Sequence, residues 1–153
     1  MSQNDWKELI ESLLVLNVEF LVVGSTVLAF HARPRFTEDL DLWVRSTREN
    51  VERLEAALKS FGVPVVEGSM EPFITREDQM IAIGARPFAV DFFNSIKGLE
   101  FDEAWQNRVI GDLFGSQVAY LNLEDFIQSK KAAGRPKDLA DLAILEEVLG
   151  KGE

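Results

Sequence analysis

Two aspartates, Asp39 and Asp41, interrupt the otherwise apolar stretch "FTEDLDLWV". Because a β-strand repeats every two residues, both carboxylates project from one face while Leu40 and Leu42 project into the core. Asp91 is a third isolated acid in another apolar stretch, "FAVDFFN". Neighbouring carboxylates repel each other, and hard divalent cations prefer oxygen ligands. The three acids therefore predict a site for one or two Mg²⁺ ions; the alternative is a solvent-facing strand at a sheet edge.

A glycine and a serine stand where a strand is expected to end and a helix to begin, in "VVGSTVLAFH". Gly24 lets a ligand approach the backbone closely, and Ser25 adds a hydroxyl. The free N–H groups at a helix start favour phosphate. Many strand-to-helix turns use Gly-Ser only to make the connection, so the motif is not specific by itself. Followed by an acidic pair and a third acid, it points to a metal-bound nucleoside triphosphate.

The elements that must position these residues follow from hydrophobic periodicity and turn residues. We expect helices at residues 5–16, 25–33, 46–62, 101–109, 123–134 and 136–150. We expect strands at residues 18–24, 39–44 and 117–123, a hairpin over 80–96, and one or two short strands within 63–79. Asn4 or Asp5 is expected to cap the first helix. This order predicts an α/β (α+β) fold with helices packed on a sheet.

The composition is that of a compact protein without disulfides. The chain has 153 residues, of which 46% are hydrophobic, and it contains no cysteine. This length suits a single domain over residues 1–153, with the C-terminal helices at about 122–150 packed on it. The net charge of −10 disfavours a broad nucleic-acid or membrane surface, so a phosphate ligand needs local neutralisation. Without a signal-peptide pattern or an apolar run of membrane-spanning length, we expect a soluble, cytoplasmic protein.

The residues "VGS", a spacer of thirteen residues and then "DLDL" resemble the signature of the nucleotidyltransferase superfamily with the DNA polymerase β-type fold. The resemblance implies a mixed sheet flanked by helices. It also implies that Asp39 and Asp41 bind metal, with Asp91 as the third, catalytic carboxylate. Gly24 and Ser25 would then contact the triphosphate.

The whole chain, including "KKAAGRPKDLADL", is similar to small stand-alone bacterial nucleotidyltransferases, some of which belong to abortive-infection or toxin–antitoxin systems. The resemblance implies transfer of a nucleoside monophosphate from a triphosphate to a hydroxyl, with Mg²⁺ or Mn²⁺ and release of pyrophosphate. The acceptor stays open among protein, transfer RNA and a small molecule. The alternatives are a catalytically silent module that binds a nucleotide or a partner, and one component of a toxin–antitoxin pair.

Basic residues cluster before the acidic strand and near the C-terminus. The resemblance favours Lys130 as a triphosphate contact, and Arg35 is a second candidate. For Lys131 and Lys137 a solvated surface position is the preferred interpretation. His31, the only histidine, is more typical of a packed or capping residue than of a ligand.

Two further acids, Asp138 and Asp141, are spaced three residues apart on a predicted helix and therefore share one face. We expect them to pair with Arg135 or Lys137. This interpretation gives them a structural role.

Overall fold

The structure, a computed structural model, describes residues 1–32 and 37–150. Within these residues the chain forms seven helices and six strands. The helices are α1 (Gln3–Val15), α2 (Ser25–His31), α3 (Arg48–Phe61), α4 (Glu71–Thr75), α5 (Phe101–Gln106), α6 (Leu123–Ala133) and α7 (Pro136–Gly150). The strands are β1 (Phe20–Val23), β2 (Asp39–Val44), β3 (Met80–Ile83), β4 (Ala89–Phe93), β5 (Val109–Leu113) and β6 (Ser116–Tyr120). None of the helices in the described part is both long enough and apolar enough to cross a membrane.

The six strands form a mixed sheet in the order β3-β4-β2-β1-β6-β5. β2 is parallel to β4 and β1 is parallel to β6, whereas the β1–β2, β3–β4 and β5–β6 pairs are antiparallel. Helices α1 and α3 pack against each other, as do α6 and α7. The predicted α/β (α+β) fold, with a mixed sheet flanked by helices, is confirmed.

The two faces of β2 have the predicted chemistry. Leu40 and Leu42 are fully buried in the core, whereas Asp39 and Asp41 are half-buried. The alternation expected from the period of a strand is therefore confirmed, and both carboxylates lie on the face opposite the two leucines.

One predicted element was wrong, and one strand was missed. Residues 63–79, all of which the structure describes, contain the short helix α4 and no strand. Pro72 lies in the first turn of α4, where a missing N–H removes no helical hydrogen bond, and Phe73 is buried. Strand β5, which pairs with β6 as a hairpin, was not predicted because Gly111 and Asp112 are poor strand formers.

The first helix begins earlier than its periodicity indicates. Ser2, rather than Asn4 or Asp5, is the N-cap of α1. The Asp5 N–H donates to Ser2 Oγ at 3.2 Å, and the Ser2 N–H donates to the Asp5 carboxylate at 2.7 Å. Asp5 is thus the third residue of a capping box and not the cap itself.

The junction of α6 and α7 is held by charged side chains. Gly134 ends α6 in the left-handed conformation, as predicted. The Asp138 carboxylate, fully buried, accepts hydrogen bonds from Arg135 Nε at 2.7 Å and from Lys130 Nζ at 3.2 Å. These bonds, that from Arg135 first, lower the pKa of Asp138 to about 2. The expected pairing of Asp138 with Arg135 is confirmed, while Lys130 is an additional partner.

Replacing Asp138 with Asn should destabilise the protein by about 3 kcal/mol at pH 7, because Lys130 then loses a buried partner. The pKa of Asp138 is lower in the folded state, so its contribution is complete above about pH 4 and disappears as the pH falls towards about 2. Thermal unfolding from pH 2 to 7 should therefore show a difference between wild type and Asp138→Asn that grows as the pH rises through this window. Glu146→Gln, which removes an exposed acid from α7, is the control and should follow wild type. A difference that does not vary with pH would contradict this account.

Candidate active site

The three acids are brought onto one face of the sheet by the pairing of β2 with β4. Asp41 lies directly opposite Asp91 in this parallel pair, and Asp39 lies opposite Ala89, two residues earlier. Because residues two apart on a strand share a face, the three carboxylates form one cluster. All three side chains are half-buried.

The electrostatics of the cluster reflect crowding of like charges away from water. Burial raises the pKa of Asp41 to about 6, and the charges of Asp91 and Asp39 add to the effect. The pKa of Asp91 is also raised, first by burial and then by the charge of Asp39. The ionised cluster is therefore strained by its own repulsion and gains from a nearby cation.

Gly24 is required by the contact between β1 and β2. Antiparallel pairing sets Val23 opposite Asp41, so the next residue lies beside the Asp41 carboxylate. Gly24 has φ +71°, and a Cβ at this position would lie 2.2 Å from Asp41 Oδ2. Only glycine fits here, and Ser25 follows it as the first residue of α2.

The acids, Gly24 and Ser25 line a cleft of about 650 Å³, a volume typical of small-ligand sites. Five basic and four acidic residues are among the described residues that line it. They are Arg86, Lys97, Lys130, Arg135, Lys137, Asp39, Asp41, Asp91 and Asp138. The local balance is positive in a chain whose net charge is −10, which is the local neutralisation that an anionic ligand requires.

Lys130, on α6, is one of the residues that line the cleft. Its side chain is mostly buried, and its Nζ is 3.2 Å from Asp138 Oδ1 and 3.2 Å from Asp141 Oδ2. Lys137, at the start of α7, lines the cleft, whereas Lys131 is not among the lining residues. The positive charges of Lys137 and Lys130 act against the rise in the pKa of Asp41, so both lysines act electrostatically on the acidic cluster.

Arg86 is a cleft residue that the sequence interpretation missed. It lies in the turn between β3 and β4, and its guanidinium Nη2 is 3.2 Å from Asp39 Oδ2. Asp39 pairs with Ala89, the first residue of the adjacent strand β4. The turn that precedes β4, which carries Arg86, therefore lies near Asp39. This proximity follows from the register of two strands far apart in sequence, for which the sequence has no local signal.

The remaining candidates lie at the margin of the site. His31 donates from Nε2 to the carbonyl of Leu121 at 2.9 Å, which ties α2 to the residue after β6. This contact favours the packing role expected for the histidine. Arg35 lies outside the described residues. Where the chain is described again, Thr37 Oγ1 donates to the carbonyl of Asp39 at 2.8 Å, at the start of β2.

The donor set fits a hard divalent cation, because all three candidate ligands offer carboxylate oxygens. Burial first, and then repulsion from the neighbouring aspartates, raises the pKa values of Asp41 and Asp91, so a cation at the cluster would stabilise their ionised forms. As the side chains stand, no group of three or more acids or histidines in the described residues is arranged to hold an ion. Asp39 is instead paired with Arg86.

Comparison with known proteins bears on this arrangement. No curated protein matches the chain. The family described as "Nucleotidyl transferase of unknown function (DUF2204)" matches residues 2–153, nearly the whole chain. The nucleotidyltransferase assignment suggested by the resemblance is thereby confirmed, and the chain belongs to this family of nucleotidyl transferases of unknown function.

Proposed function

We propose that the protein is a metal-dependent nucleotidyltransferase that moves a nucleoside monophosphate from a triphosphate to a hydroxyl group. The observation that carries the proposal is the alignment of Asp41 with Asp91 across β2 and β4, with Asp39 on the same face and Gly24 against Asp41. Such a cluster is costly for stability and is explained by a function that uses it.

The acids would hold Mg²⁺, or Mn²⁺, through their carboxylate oxygens. When bound, the metal lowers the pKa of the acceptor hydroxyl and neutralises charge on the triphosphate. Asp91, whose pKa is raised, is suited to take the hydroxyl proton. The hydroxyl oxygen then bonds to the α-phosphorus, the bond from that phosphorus to the β-phosphate bridging oxygen breaks, and pyrophosphate leaves. Asp39 and Asp41 would remain metal ligands throughout the reaction.

The triphosphate would lie between the acidic cluster and the cations of α6 and α7. Gly24 lets phosphate approach the backbone, and Ser25 offers a hydroxyl to it. Lys137 is exposed at the cleft, where its ammonium group could donate to phosphate. Lys130 is held by Asp138 and Asp141, so it would contribute mainly its position and its electric field. Arg35, as predicted from the sequence, stays a candidate for the same role.

The decisive experiment separates transfer from binding alone. Calorimetric titration of wild type with each of the four nucleoside triphosphates and Mg²⁺ tests binding, and pyrophosphate release with protein, transfer-RNA and small-molecule acceptor pools tests transfer. Binding without release from any combination would support the silent module. Absence of triphosphate binding would overturn the proposal. Membership of a toxin–antitoxin pair stays a prediction from the sequence resemblance.

Asp41→Asn should have opposite effects on binding and stability. It removes a ligand, so metal-dependent triphosphate binding and pyrophosphate release should fall at least tenfold, as when a metal-site contact is lost. It also relieves repulsion, so without metal the free energy of unfolding at pH 7 should rise by about 2 kcal/mol, or roughly 5 °C in Tm. Calorimetric titration in Mn²⁺ measures triphosphate binding, and scanning calorimetry in EDTA measures the metal-free Tm.

Asp112→Asn is the matched control for this charge change, because it removes a carboxylate from β5 at the far edge of the sheet. It should leave triphosphate binding unchanged. A fall in the metal-free Tm of Asp41→Asn, or wild-type binding by that variant, would contradict the assigned role of Asp41.

Gly24→Ala should abolish triphosphate binding, because the new Cβ collides with the Asp41 carboxylate and moves it. The positive φ adds strain, for a total cost of about 2 kcal/mol. Gly68→Ala is a matched control: Gly68 has φ +81°, but nothing lies within 4 Å of its Cβ position. Both variants should be less stable in thermal unfolding, but only Gly24→Ala should lose triphosphate binding. Equal binding by the two variants would show that the contact with Asp41 is unimportant.

Lys137→Ala and Lys131→Ala should differ, although each removes one lysine from neighbouring helices. Lys137 lines the cleft and Lys131 does not. Losing a charge-assisted contact should weaken triphosphate binding by Lys137→Ala about tenfold, while Lys131→Ala should bind as wild type. Calorimetric titration in Mg²⁺ measures both. Similar triphosphate affinities of the two variants would instead support the solvated surface position that the sequence predicts for Lys137.

A further inference from the structure

Arg86 contacts the acidic cluster from the hairpin turn. Its Nη2 is 3.2 Å from Asp39 Oδ2, and its Nε is 3.8 Å from Glu38 Oε2. Its positive charge also acts on Asp91, where it opposes the effect of Asp39. The guanidinium therefore supplies part of the positive charge that the cluster needs.

The backbone that carries Arg86 is fixed. Antiparallel pairing sets Ile83 opposite Val90, and the Phe88 N–H donates to the Ala85 carbonyl at 3.1 Å to close the turn. The ring of Phe88 packs edge-on against Trp6 of α1, with the ring centroids 5.3 Å apart. The base of the arginine is thus held by the sheet and by α1.

The side chain, in contrast, is held weakly. It is 70% exposed, and among the described residues its closest acidic contact is a single nitrogen–oxygen pair with Asp39. Ion pairs this exposed contribute little to stability, so this pair costs little to break. A cation bound at Asp39 would neutralise the carboxylate that attracts the guanidinium. The anionic oxygens of a triphosphate would then be the better hydrogen-bond acceptors for the guanidinium.

We propose that Arg86 is a partner-switching residue: it neutralises Asp39 before the metal and triphosphate bind, and it contacts the triphosphate afterwards. The inference rests on the proposed function, because it requires a metal at Asp39. Arginine suits both states, since its planar fork matches carboxylate and phosphate oxygens equally well. Before the ligands bind, Arg86 would neutralise part of the negative charge of the three carboxylates. It would also compete with a metal ion that arrives without nucleotide.

The test compares two probes on Arg86→Ala: Mn²⁺ alone, and Mn²⁺ with inorganic tripolyphosphate, which needs no knowledge of the base. Without its competitor, Mn²⁺ alone should bind about two- to five-fold more tightly. Tripolyphosphate with Mn²⁺ should bind about tenfold more weakly, because a charge-assisted contact is lost. Calorimetry gives both affinities. This opposite pair of changes is not expected from a merely structural residue.

Two further variants sharpen the result. Arg53→Ala removes the same charge from α3, where Arg53 pairs with Glu49, and should change neither affinity. Arg86→Lys keeps the charge but not the fork, so Mn²⁺ alone should bind as in wild type while tripolyphosphate binds a few-fold more weakly.

The outcomes separate the inference from the function on which it rests. If wild type binds neither probe, the proposed function and the role of Arg86 both fail. If wild type binds both and Arg86→Ala changes the two affinities in the same direction, or changes neither, only the role of Arg86 is overturned.

Discussion

Repulsion among three carboxylates on adjacent strands is the constraint around which the cleft is organised. The register of β2 and β4 holds Asp41 beside Asp91, and side chains fixed to paired strands cannot separate without breaking the sheet. The opposite face of β2 supplies the compensating stability, because Leu40 and Leu42 are fully buried in the core. Burial of the apolar face of β2 thus stabilises the strand although its acidic face is electrostatically unfavourable. A site can be kept ready for a cation in this way.

Positive charge reaches the cluster in two physically different ways. Lys130 is buried and fixed by Asp138 and Asp141, whereas Arg86 is exposed and reaches Asp39 from a turn. A buried ion pair adds little net stability, because its desolvation offsets the attraction, so its main effect is to fix geometry. The α6–α7 junction therefore sets the position of one cation, while the other lies on an exposed side chain of the hairpin turn.

Much of the fold was readable from the sequence, because its signals are local. Strand alternation predicted the two faces of β2, and Gly134 predicted the end of α6. Local patterns also identified Asp41 and Asp91 as candidate site residues. Their direct pairing depends on the register of β2 and β4, which local patterns do not determine. Contacts made across the sheet, such as that of Arg86 with Asp39, were invisible because they join residues distant in sequence. Residues 63–79 were misread because their apolar content fits a short helix as well as a strand.

The distribution of charge affects which anionic ligands can approach the cleft. A net charge of −10 repels large polyanions over distances up to the Debye length, about 8 Å at physiological salt. Among the described residues that line the cleft, five are basic and four are acidic, so a phosphate ligand that arrives with its own cation would meet less repulsion there. A metal–triphosphate complex carries less charge than the free nucleotide and therefore passes the outer repulsion more easily. The negative net charge disfavours an extended nucleic-acid backbone, and the mixed charges of the cleft agree with the proposed metal–triphosphate ligand.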